Sequence, residues 1–132
     1  MSTHQNIQAA RAFLTALSGF DTDRVRDLLA ADAKRIEWPN RLKPQGNHQT
    51  CAEMLTDAAK ARAVLTRQDY AIAQIAASDT AVMVEFTWTG TLALEIGTLA
   101  AGDIMTAHCV AVFDFRDGKI CGLRNYDCFD AF

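Results

Sequence analysis

The chain closes with "RDGKICGLRNYDCFDAF", and inside this stretch Asn125 and Asp127 stand two residues apart. Residues two apart on a β-strand share a face, so the amide and the carboxylate fall in line with Cys121 and Leu123, away from Gly122, Arg124 and Tyr126. Cys121 and Leu123 mark that face as the inner one. A carboxylate among apolar walls loses hydration, its pKa rises, and it can exchange a proton with a bound molecule near neutral pH. Asp127 is the candidate acid/base on this reading, and Asn125 is the hydrogen bonder that orients a ligand. A second reading stays open: Asp127 can instead accept backbone N–H groups or meet an arginine where the strand leaves the core. One extra residue in the strand would turn every side chain over, so the argument rests on strand parity.

The remaining chemistry-bearing residues carry less. His108 has a side chain that titrates near neutrality. It alternates with Cys109, Ala111, Phe113 and Phe115 in "AHCVAVFDF", which puts it on the outer face with Val110, Val112 and Asp114. His48 falls in a loop and His4 at the start of the chain. Arg41 and Lys43, with Lys34 and Arg35 nearby, form the one local basic cluster, and a solvated loop explains it. Trp38, Trp88 and Tyr70 suit either a flat ligand or core filling. Glu37 precedes Trp38 and is expected to point away from it, to the outer face.

These residues need elements to place them. Ser2 and Gln5 fit a capping box that opens a helix with Ile7, Ala10, Leu14 and Leu17 at helical spacing and Phe13 beside them. Gly19 suits the left-handed position that ends it. Asp21 caps a shorter helix with Val25, Leu28 and Leu29 inward, expected to stop near Asp32. Ile36 and Trp38 favour a short strand that Pro39 ends. Thr50 and Glu53 repeat the capping-box pattern for a third helix with Leu55, Ala58 and Ala59 inward. Beyond Leu65 the period changes to two. "RQDYAIAQIA", "DTAVMVEFTWTG", "IMTAHCVAVFDF" and "KICGLRNYD" read as strands, and Asp117-Gly118 is a hairpin signal between the last two. In the second of them Val82, Val84, Phe86 and Trp88 share the inner face, and Met83, Glu85, Thr87 and Thr89 the outer. Helices first and an antiparallel meander after them give an α+β domain over residues 1–132, with the helices on one side of the sheet. A long twisted sheet curls, and a cavity remains wherever the helices do not fill the curl.

Composition narrows the classes. The chain has 132 residues, half of them hydrophobic, and a net charge of −3 with both signs scattered. No basic block offers a nucleic-acid footprint. No apolar run is long enough for a membrane span, and "MSTHQNIQAAR" lacks the order of a secretion signal, so a cytoplasmic protein is expected. Cys51, Cys109, Cys121 and Cys128 are not spaced as metal ligands or as C-x-x-C and are read as buried free thiols, so no metal is expected. No glycine-rich phosphate loop or other cofactor motif occurs, and no cofactor is expected.

The two opening helices, "ADAKRIEWP", "WTG" after a strand and "FRDGKICGLRNYD" near the end, in that order and spacing, resemble the nuclear transport factor 2-like superfamily and, within it, the SnoaL-like, polyketide-cyclase-like group. The resemblance covers nearly the whole chain. It implies a cone-shaped α+β barrel, a curved antiparallel sheet wrapped around N-terminal helices, with an apolar pocket and often a homodimer through the outer sheet face. It also implies a range of activities, from cyclases, dehydratases, isomerases and epoxide hydrolases to proteins without chemistry. The polar groups of the steroid-isomerase branch would fall at Trp38, Phe13 and Ala111, and this chain has none of them. An acidic residue like Asp127 acts as acid/base in the cyclases, whose histidine would fall near Ala111. The Asp-Arg-Asp arrangement of the epoxide hydrolases is not located in the sequence.

The reading is a small-molecule pocket lined by Phe13, Trp38, Phe86, Trp88, Ala111, Phe113 and Leu123, with Asn125 and Asp127 at its polar end. The alternatives are a ligand-binding protein without turnover and a dimeric interaction module whose interior is filled.

Overall fold

Local signals set the helices. The computed structural model describes residues 2–132. It runs α1 (Thr3–Ser18), α2 (Thr22–Leu28), β1 (Leu29–Glu37), β2 (Asn47–Thr50), α3 (Cys51–Lys60), a 3-10 turn (Ala61–Ala63), β3 (Leu65–Ala77), β4 (Ala81–Leu92), β5 (Ile104–Arg116) and β6 (Lys119–Phe129). Ser2 and Gln5 exchange both bonds of a capping box at the start of α1, and Thr50 and Glu53 do the same at α3. Asp21 accepts from the Arg24 N–H and caps α2.

Several boundaries differ from the sequence expectation. Gly19 has φ −88°, and Phe20 takes the left-handed conformation at φ 55°. The N–H groups of Gly19, Phe20 and Asp21 close on the carbonyls of Thr15, Leu17 and Ala16, and the Phe20 ring sits under the Arg62 guanidinium at 4.4 Å. Helix α2 ends at Leu28, not near Asp32, because the chain from Leu29 joins the sheet and buries Leu29, Ala30 and Ala33 there. On α3 the buried residue is Met54, with Leu55 and Ala58 half-buried; Ala59 is exposed. β2 is a polar strand that hydrophobic periodicity gives no sign of.

The fold is α+β, with the helices against an open six-stranded sheet ordered β2-β1-β6-β5-β4-β3. The meander β3 to β6 is antiparallel as the alternation requires. β1, however, lies parallel to β6, so the sheet is mixed and not wholly antiparallel. Asp117 and Gly118, at φ 52° and 76°, make the tight turn between β5 and β6. On β4 Val82, Val84 and Phe86 are buried, and on β5 Cys109, Ala111, Phe113 and Phe115 are buried. Helix α1 packs across this face, with Phe13 edge-on to Phe113 at 5.6 Å.

β6 carries a bulge. Asp114 pairs with Gly122 and Phe115 with Ile120, which leaves Cys121 as the extra residue. Ile120 is fully buried and Cys121 only half-buried, so the inner residue at the start of β6 is Ile120, not Cys121. The irregularity lies before Leu123, and from there the strand alternates regularly.

No helix among the described residues is long and apolar enough to cross a membrane. Thr50→Ala removes the side-chain acceptor at the start of α3 and is expected to destabilise the protein by about 1 kcal/mol, read as a lower urea midpoint at unchanged slope.

Candidate functional site

Downstream of the bulge, Leu123, Asn125 and Asp127 face the interior. They border a cavity of about 270 Å³ between α1, α2, α3 and the inner face of the sheet. Of the residues picked from the sequence, Phe13, Phe86, Trp88, Ala111, Phe113, Leu123, Asn125 and Asp127 all line it. The exposed members of the lining, Leu42 and Asp57, mark where it opens.

Trp38 does not line it. It is 40% exposed, and its ring lies against Tyr126 at 6.1 Å on the outer side of the sheet. The cause is the parity of β1. Ala33 and Glu37 are buried and Arg35 is half-buried on the inner face, which turns Lys34, Ile36 and Trp38 outward. Glu37 therefore points inward, against expectation, and Arg35 is a cavity residue and not part of a solvated cluster. Hydrophobicity misled the assignment here, since Ile36 and Trp38 outrank arginine and glutamate as core formers.

Arg35 organises the polar end. Its Nε donates to Asn125 Oδ1 at 2.6 Å and its Nη1 to Gln49 Oε1 at 2.9 Å, while Nη2 stands 3.6 Å from a Glu37 carboxylate oxygen. Gln49 in turn donates to Asp57. Asn40 Nδ2 donates to the other Glu37 oxygen at 2.9 Å. Asn125 is thus fixed with its carbonyl oxygen toward the guanidinium.

Asp127 pairs across the sheet with Cys109. Burial pushes its carboxyl above the ordinary value of 3.8. The Cys109 thiol pulls it back down, the Glu37 charge raises it further and the Arg35 charge lowers it, and burial prevails. Burial also pushes the Cys109 thiol up, and the Asp127 charge adds to this, so Cys109 stands as a thiol and not a thiolate. The grouping is a carboxyl group inclined to hold a proton, beside a guanidinium that is already committed to an amide and a second carboxylate.

Tyr70, which the sequence left between ligand contact and core, also lines the cavity, as do Gln68, Cys109, Asp57 and Phe129, which the sequence did not mark as pocket residues. For Cys109 the signal existed, because it shares a face with Ala111 and Phe113. His108 lies on the outer face, exposed, and its Nε2 is 3.0 Å from an Asp130 carboxylate oxygen. Among the cysteines Cys109 is buried, Cys51 and Cys121 are half-buried and Cys128 is exposed, so the expectation of buried thiols fails for Cys128.

A raised carboxyl pKa has a definite sign for stability. The folded state holds the Asp127 proton more tightly than the unfolded chain does. Its favourable contribution is complete below the unfolded value and is lost as pH rises through the folded value. Asp127→Asn is therefore expected to melt about 2–6 °C above the wild type at pH 7, with the gap closing as pH falls through the folded-state value toward 3.8. Melting curves by circular dichroism across this range check it. A variant less stable than the wild type at pH 7 would remove the burial argument.

The cavity and its polar end can be set against known proteins. The SnoaL-like domain family matches residues 10–123. No curated protein matches the sequence. Among solved structures, an LEH-like epoxide hydrolase from M. tuberculosis is 26% identical with a TM-score of 0.72, over 97% of this chain and 84% of that one. IdmH from Streptomyces antibioticus, a proposed polyketide cyclase, is 19% identical with a TM-score of 0.78, over 94% and 92%. An NTF2-like protein of unknown function from Burkholderia pseudomallei is 21% identical with a TM-score of 0.76, over 98% and 92%. The family match spans most of the chain, and the order of helices and strands agrees with it: the chain belongs to the SnoaL-like domain family.

Proposed function

We propose that the cavity binds a small, mostly apolar cyclic molecule and that Asp127 exchanges a proton with it. The observation that carries this reading is a carboxyl group set in a mostly aromatic and aliphatic wall, its pKa raised by burial there. Phe13, Phe86, Trp88, Phe113 and Leu123 exclude water from the bound molecule, which strengthens every polar interaction inside. Asn125, held by Arg35, orients the ligand. In its ionised form Asp127 takes a proton from the ligand, and in its neutral form it returns one. The volume sits at the small end of ligand pockets, which run from roughly 300 Å³ upward, and favours a compact one- or two-ring compound.

A second reading, hydrolytic opening of a small epoxide, is favoured by one feature: Arg35, 3.6 Å from Glu37, lines the cavity together with the carboxyl groups of Asp57 and Asp127. The similarity to the mycobacterial epoxide hydrolase agrees with it.

The outer sheet face supports a homodimer. Met83, Ile104 and Tyr126 are exposed there beside the half-buried Val110.

A thermal-shift panel of tetralin-, indane- and decalin-sized compounds, run on the wild type and on Asp127→Asn, tests binding. Incorporation of solvent deuterium into the same compounds and their ketones, followed by NMR, tests proton exchange. Stabilisation of both proteins, with exchange by the wild type at least about 100-fold faster than by the variant, is expected. Stabilisation without exchange makes this a binding protein, and ring opening of cyclohexene oxide that Arg35→Met abolishes selects the second reading. No stabilisation of the wild type by any compound removes the pocket as a ligand site.

A further inference from the structure

The wall formed by β3 and β4 holds polar groups that the Asp127 chemistry does not use. Gln68 is buried there, and its Nε2 donates to the Leu17 carbonyl at 2.8 Å. That bond fixes the amide, so Oε1 faces Trp88 and Tyr70. Trp88 Nε1 donates to Oε1 at 3.0 Å, an ordinary length, and the Tyr70 hydroxyl donates to the same atom at 3.3 Å, long for an O–H···O bond. Two donors share one acceptor, and the phenol is the more weakly held. The Tyr70 ring is seated against Phe86 at 5.3 Å, so its O–H can rotate to a new partner without moving the ring. Tyr70, Gln68 and Trp88 border the same cavity as Asp127.

The chemistry of the wall selects what that partner is. Asp57 and Asp127 face the cavity, Arg35 is the one cation of its lining among the described residues, and Arg35 is already engaged by Glu37. A ligand carboxylate would be desolvated beside like charge. A ligand N–H finds Gln68 Oε1 already taken by two donors. A neutral acceptor oxygen suits the wall. We propose that the Tyr70 hydroxyl donates to the carbonyl oxygen of a neutral ketone bound in the cavity, leaving Gln68 Oε1 to Trp88. This rests on the reading of the cavity as the ligand site, and it names the functional group recognised at the wall formed by β3 and β4. A ketone so held has an acidic carbon next to its carbonyl, the kind of proton a carboxylate base removes.

The probes are 1-tetralone and its hydrocarbon counterpart tetralin, with dissociation constants measured by quenching of tryptophan fluorescence for the wild type and Tyr70→Phe. The expected result is tetralone binding about tenfold more tightly than tetralin to the wild type, with that preference lost in Tyr70→Phe and tetralin affinity unchanged within about twofold. A preference that survives in Tyr70→Phe, or no preference in the wild type while tetralin still binds, overturns the Tyr70 assignment and leaves the cavity reading standing. Binding of neither probe overturns both. If Tyr70→Phe does not fold, wild-type protein carrying ring-labelled tyrosine decides: the Tyr70 Cζ resonance is expected to move with tetralone and not with tetralin, and equal movement with both overturns the assignment.

Discussion

β6 is held on both edges, parallel to β1 and antiparallel to β5, and cannot rotate about its own axis without breaking two ladders. Its single bulge at Cys121 spends the one irregularity before the functional stretch begins. Leu123, Asn125 and Asp127 are then committed to the interior, and the Arg35 end of the cavity is arranged around that commitment. Without the extra residue, and with Ile120 still inward, Arg124 and Tyr126 would face inward and the carboxyl group would lie in solvent. Gly122 fits the same constraint, since a Cβ there would stand 2.8 Å from the Asp114 carboxylate.

Around this strand the charges divide into two sets. On the outer face Arg124 pairs with Asp114 at 2.5 Å, a half-exposed contact worth little to stability. On the inner face Arg35 is shared among Asn125, Gln49 and Glu37, and Asp127 has no ion-pair partner among the described residues. A full Arg–Asp127 ion pair would hold the carboxyl low and make it a structural anion. The guanidinium is spent on Asn125 and Glu37 instead, and desolvation decides the pKa of Asp127. That division separates a group able to trade protons from one that only holds the fold together.

How much of this the sequence discloses depends on the residue. The capping boxes at Ser2 and Thr50, the Asp117-Gly118 hairpin and the faces of β4 and β5 follow from local rules that the packing does not disturb. The parallel partnership of β1 with β6 is a long-range choice with no local signature, and the inward turn of Arg35 and Glu37 depends on it. Hydrophobic parity fails on β1 because that strand borders a polar end of the cavity, where inward residues need not be apolar. Trp38 is the cost of that failure: its ring covers Tyr126 on the outer face. Tyr70 was ambiguous and Gln68 carried no signal for a related reason, since a half-polar strand such as β3 gives no decisive alternation.

The account stands on the protonation of one carboxyl group. Carbon-13 NMR of protein labelled at the aspartate side chains, titrated with pH and assigned by loss of one resonance in Asp127→Asn, measures it directly. The account requires an Asp127 midpoint above 3.8. A midpoint at or below that value would mean that Asp127 is a solvated or ion-paired carboxylate, and the cavity would have no acid/base group.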